Sequence, residues 1–133
     1  MPLTSDDQAK YKDLYLQTAR EYIFALKENS ALLLNEKETP EVVEILHRSA
    51  HSLNSQSKMM EYLQMASAAS LLEQIFQAKI DQQSTLSPEL KQTIAETAEQ
   101  MEKSLDALSE TGKENDLSAL VSKLQSLSNL PSN

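Results

Sequence analysis

A chain of 133 residues is the size of one domain and long enough to bury a single core without disulfides or metal. It has no cysteine, which removes disulfides, thiolate chemistry and cysteine-type zinc sites and is compatible with a reducing compartment. The formal charge of -8 disfavours nucleic acid and anionic lipid as partners. No apolar run approaches the ~18 residues of a membrane span, and Met1-Pro2-Leu3-Thr4-Ser5-Asp6-Asp7 lacks the basic flank and apolar core of a signal peptide. A cytoplasmic location without membrane insertion is expected.

One glycine, four prolines and no alternating apolar segments leave little material for a sheet, so the expected class is all-α. Serine or aspartate at positions 5 to 7 can cap a first helix, which runs to about Leu33 or Leu34. Tyr11, Leu14, Tyr15, Ala19, Tyr22, Ile23 and Leu26 form its stripe, the tyrosines as core residues. Thr39-Pro40-Glu41 opens a second helix with an N-cap, a proline at the first helical position and an acid in the first turn. Val42, Val43, Ile45, Leu46, Ala50 and Leu53 recur there at helical spacing, and His51 lies beside that face. This helix fades around Ser55 to Lys58, where Asn54-Ser55-Gln56-Ser57 favours side-chain to backbone bonds.

A third helix follows, with Tyr62, Leu63, Ala66, Ala69, Leu72, Ile75, Phe76 and Ile80 inward, and ends in Asp81-Gln82-Gln83-Ser84. The short connection makes the second and third helices an antiparallel hairpin. Met59, Met60, Met65 and Tyr62 near its turn can serve either as an apolar docking patch or as core. Ser87-Pro88-Glu89 opens a fourth helix carrying Leu90, Ile94, Ala98, Met101, Leu105 and Leu108, and Gly112 ends it. Asn115-Asp116 can cap a fifth, with Leu117, Leu120, Val121, Leu124 and Leu127 as its stripe. The expected assembly is an antiparallel up-and-down four-helix bundle with an additional fifth C-terminal helix on its side or end. The domain spans residues 1–130, residues 131–133 are a tail or the start of a linker, and the bundle is expected to be a monomer.

A histidine at the border of a buried stripe keeps part of its ring in solvent, and neutral imidazole is a nucleophile near pH 7 because its unperturbed pKa is ~6.5. His51 can therefore accept a group and pass it on. His47, one turn earlier, completes a spacing that binds zinc or copper when a carboxylate such as Glu44 or Glu73 joins. The glutamate of a His-Glu-x-x-His motif is missing, so no metal is expected, and His47 reads as a packing residue with a polar tip. With no glycine-rich loop to cradle phosphate, the domain is not expected to hold nucleotide itself.

Ala50-His51-Ser52-Leu53 resembles the Ala-His-Ser-(Ile/Leu)-Lys-Gly signature of histidine phosphotransfer (HPt) domains, most closely the amino-terminal domain of chemotaxis-type sensor histidine kinases. Arg48 matches the arginine common three residues before the histidine, and Glu73 falls where this subgroup carries a glutamate on the next helix. The resemblance implies that Nε2 of His51 accepts phosphate and that Glu73 orients the ring through Nδ1. It also implies a histidine kinase catalytic domain and response regulator receiver domains as partners, with ATP and Mg2+ belonging to them. The domain alone is then a carrier without an ATP site, part of a longer histidine kinase.

Three positions depart from the pattern: Asn54 stands for the usual lysine, Ser55 for the following glycine and Glu61 for the glycine before Tyr62. Lysine would supply positive charge near the phosphoryl group and glycine would leave room for a docking loop. Arg48, Asn54, Ser55 and Lys58 are therefore the candidate binding residues, Lys58 as a substitute for the missing charge. The alternative function is a bundle that binds a kinase or regulator without efficient phosphorylation. If the hairpin turns near residues 58 to 61, His51 and Glu73 lie within about one helical turn of level, which permits contact.

Overall fold

The computed structural model describes residues 4–81 and 85–130, and these form five helices: α1 (Ser5–Leu34), α2 (Pro40–Met59), α3 (Leu63–Ile80), α4 (Pro88–Thr111) and α5 (Ser118–Ser128). No strand occurs among the described residues. The tail 131–133 and Gln82-Gln83-Ser84 lie outside them.

Helix starts follow local chemistry. Thr39 Oγ1 accepts the Val42 N–H at 3.2 Å and Ser87 Oγ accepts the Leu90 N–H at 3.1 Å, each with proline just inside the helix. Gly112 ends α4 at φ 79°, the left-handed region that favours glycine. Two boundaries differ from expectation. The cap of α1 is Thr4, whose hydroxyl accepts the Asp7 N–H at 3.1 Å, and not a residue at positions 5 to 7. At α5, Asp116 Oδ1 does accept the Ser118 N–H at 2.9 Å, but Leu117 occupies the cap position itself.

Cross-helix pairs establish the antiparallel order. Thr18 meets Gln56 and Tyr15 meets Ser57 between α1 and α2; Arg20 pairs with Asp106 and Lys27 with Glu102 between α1 and α4. In both sets partner numbers fall on one helix as they rise on the other. Helices α1–α2, α2–α3 and α1–α4 pack extensively, whereas α3 and α4 barely touch; α5 lies across both and closes the bundle on that side. Leu46, Leu53, Leu72, Ile75, Phe76, Ile94 and Met101 are fully buried at its centre. Each such side chain contributes about 1.5–3 kcal/mol of transfer free energy.

The stripes hold in their middles and fail at their ends. Tyr15, Ala19, Ile23 and Leu26 are core, but Tyr11 (47%) and Leu14 (55%) are exposed. At 30 residues α1 is about 45 Å long and α2, at 20, only about 30 Å, so the first turns of α1 overhang the hairpin. Leu63 and Ile80, the terminal residues of α3, are also exposed. Met65 is core, Tyr62 packs against Tyr15 with ring centroids 4.9 Å apart, and Met59 is 79% exposed.

Candidate functional site

The register of the α2–α3 hairpin sets the site. Helix α2 closes with Tyr62 N–H bonded to Ser57 C=O (2.9 Å) and Glu61 N–H to Lys58 C=O (3.0 Å), a Schellman closure with Glu61 at φ 62°. That left-handed position is where the family pattern places glycine. The N-terminus of α3 has no capping side chain of its own. Glu114, in the α4–α5 connection, supplies it: its two carboxylate oxygens accept the N–H groups of Gln64 (3.0 Å) and Met65 (2.9 Å). The connection is itself held by Leu117 N–H on Gln64 Oε1 and by Asn115 N–H on Ser104 Oγ. Sequence reasoning missed Glu114, because a cap from some fifty residues away leaves no local pattern.

The turn centres on Glu61, so His51 and Glu73 lie ten and twelve residues from it, about one residue each from level. Nδ1 of His51 is 2.7 Å from Oε2 of Glu73, with the His51 side chain 61% exposed and Glu73 22%. An ionised carboxylate only accepts, so Nδ1 carries the proton and the lone pair of the neutral ring sits on Nε2, away from Glu73. The other carboxylate oxygen, Oε1, accepts the Asn54 amide at 3.3 Å. Among the described residues Glu73 has no lysine or arginine partner.

The remaining candidates lie along the same face of α2. Arg48 is exposed one turn before His51, its Nε 3.9 Å from Glu44, a loose i, i+4 pair of little energetic weight. Ser55 is exposed one turn after His51, and Lys58 a further turn on, about 10 Å from His51 along the axis. Lys58 does not reach Glu73 and lines a groove with Leu63, Ser67 and Val121, so it gives no direct substitute for a lysine at position 54. The ring of His47 stands parallel to that of His51 with centroids 6.4 Å apart, and its Nε2 is buried without a hydrogen-bond partner among the described residues. Among the described residues no three His, Cys, Asp or Glu side chains converge as a metal ion would require, and no helix is long and apolar enough to cross a membrane.

Two flanking features complete the surroundings. The α1 overhang and the end of α2 enclose an apolar groove of about 600 Å³ lined by Tyr11, Leu14, Thr18, Gln56, Met59 and Met60. Beneath it, burial pushes the Tyr15 phenol up to about 12, with the Ser57 hydrogen bond acting in the opposite direction. At the other end Glu38 bridges Lys79 (3.0 Å) and Lys91 (3.4 Å). Burial raises the Glu38 pKa, but the two ammonium groups outweigh it and hold the carboxyl below its usual range.

The fold and this geometry define a class: a helical bundle that presents one carboxylate-held imidazole to solvent from the middle of a helix. The family model described as the Hpt domain matches residues 10–130, and the chain belongs to the histidine phosphotransfer family. Domains of this family are phosphoryl carriers in two-component signalling and generally interact with kinases and response regulators. No curated protein and no solved structure matches the chain.

Proposed function

We propose that this domain carries phosphoryl groups on Nε2 of His51, with Glu73 as the residue that orients the ring, in a chemotaxis-type signalling kinase of the cytoplasm. The observation that carries the reading is the 2.7 Å contact between Nδ1 and the Glu73 carboxylate beneath an exposed Nε2. In the first step the Nε2 lone pair attacks the γ-phosphorus of ATP held by a separate kinase catalytic domain; the bond to the ADP oxygen breaks and ADP leaves. The product ring carries phosphate on Nε2 and a proton on Nδ1, and is therefore cationic beside an anionic Glu73. In the second step a receiver aspartate attacks the phosphorus, and the N–P bond breaks with its electron pair returning to Nε2. Neutral imidazole is regenerated with its proton still on Nδ1. Glu73 thus supports both directions without any proton moving, by favouring the cationic ring that the phosphorylated state requires.

ATP and Mg2+ belong to the partner domains, since the only glycine, Gly112, ends a helix and forms no phosphate-cradling loop. This domain supplies nucleophile and docking surface, the latter including Arg48, Ser55 and the methionine-lined groove at the end of α2. The test is incubation with labelled ATP and the catalytic domains of a chemotaxis-type kinase. Acid-labile label is expected on the parent and on His47→Gln, and none on His51→Gln; label persisting on His51→Gln would refute the assignment.

A further inference from the structure

The Asn54 side chain is only 8% exposed, and its two polar atoms fare differently. Nδ2 donates to Oε1 of Glu73 at 3.3 Å, whereas Oδ1 is buried with no hydrogen-bond partner among the described residues. Exchanging the two atoms would set an amide oxygen against a carboxylate oxygen, so the assignment follows from electrostatics. A buried, half-satisfied amide costs stability, and an apolar residue of the same volume would avoid that cost. Asn54 is therefore poorly explained as core packing. It is well explained by what it holds: Glu73 touches His51 through Oε2 and Asn54 through Oε1, and these are the polar side-chain contacts that fix the carboxylate.

We propose that Asn54 is a positioning residue for phosphoryl transfer, locking the Glu73 carboxylate in the orientation that keeps the proton on Nδ1 and the lone pair on Nε2 of His51. The inference rests on the carrier reading above and adds a third member to the relay. The amide is neutral, so it orients the carboxylate without neutralising it, and the full negative charge remains available to the cationic phosphorylated ring. A lysine there would orient Glu73 as well, but would compete with the imidazole for its charge. Freed from Asn54, Glu73 gains rotamers in which Oε2 no longer faces Nδ1, and the population of correctly protonated ring falls.

The discriminating variant is Asn54→Leu, which keeps the branched four-atom side chain and removes both the hydrogen bond and the unpartnered oxygen. The protein is phosphorylated with phosphoramidate, a small donor that needs no partner domain, and the His51 ring nitrogens are followed by 15N NMR. The expected result is unchanged or raised thermal stability, phosphorylation of His51 slowed by about tenfold, and a shift of the ring away from the Nδ1–H tautomer; Asn54→Gln, which keeps the donor, should recover part of the rate. Lowered stability with parental rate and tautomer would show that Asn54 only packs, and would overturn this inference while leaving the His51 assignment standing. Absence of phosphate on His51 of the parent would overturn both.

Discussion

Replacing Glu73 separates the orienting role from simple exposure of a histidine. Its contact with Nδ1 is short, 2.7 Å, and the carboxylate is 22% exposed, so solvent screens it only in part. A hydrogen bond to an ionised group contributes about 1.5–3 kcal/mol, and 1.36 kcal/mol corresponds to tenfold in rate. If that energy acts on the cationic ring formed during transfer, Glu73→Ala should slow phosphorylation of His51 by roughly 10- to 100-fold. Glu73→Gln keeps one neutral acceptor that can serve His51 or Asn54 but not both, and should fall by about tenfold. The alanine variant also strands the Asn54 amide, at a cost of about 1–3 kcal/mol, so rates must be expressed per folded molecule. The assay is initial labelling by kinase catalytic domains, with circular dichroism reporting the folded fraction. A Glu73→Ala protein labelled within about twofold of the parent, against the ≥10-fold loss expected, would refute the orienting role.

Other consequences follow from the surrounding structure. Glu114→Ala removes the side-chain cap of α3 and should cost about 1–2 kcal/mol in urea denaturation, while labelling per folded molecule stays at the parental level. Glu61 sits at φ 62°, so Glu61→Gly should raise the urea midpoint by the equivalent of about 0.5–1 kcal/mol; a fall would show that its side chain compensates for the backbone strain. The Glu38 carboxyl is held below its usual range, so its contribution is present above the unfolded carboxylate pKa and is lost as pH falls through the lower folded value. Glu38→Gln should therefore be less stable than the parent near pH 7, by about 1 kcal/mol, and the two should converge in acid. A constant gap from pH 7 to about pH 2.5, well below the ~4.3 of a free glutamate, would contradict the ion-pair account.

The readable parts of this chain were those written in adjacent residues. Thr39-Pro40-Glu41, Ser87-Pro88-Glu89 and Gly112 carry their boundaries in cap chemistry that operates over three or four positions, and the structure keeps all three. The four-helix order followed from short connections, and the His51–Glu73 level followed from the hairpin, since a rise of ~1.5 Å per residue converts separation into height. What periodicity could not convey was where a neighbouring helix stops. Tyr11 and Leu14 share a stripe with Tyr15 but face an open groove beside the last turn of α2, and Leu63 and Ile80 are exposed at the ends of α3. Contacts between distant segments left no trace either: Glu114 on α3, Glu38 on two lysines, and Asn54 on Glu73. Asn54 was recognisable in sequence only as a residue out of pattern. Its place against the second carboxylate oxygen required the helical phase, which spacing alone does not fix.

The most direct test of the account is to identify the nitrogen that bears phosphate. Protein labelled with 15N in histidine is phosphorylated and examined by 15N and 31P NMR. The account predicts one phosphohistidine, at His51, with the N–P bond on Nε2 and a retained proton on Nδ1. Phosphate on Nδ1 of His51 or on His47 would contradict the orienting geometry, and no phosphohistidine would contradict the carrier function.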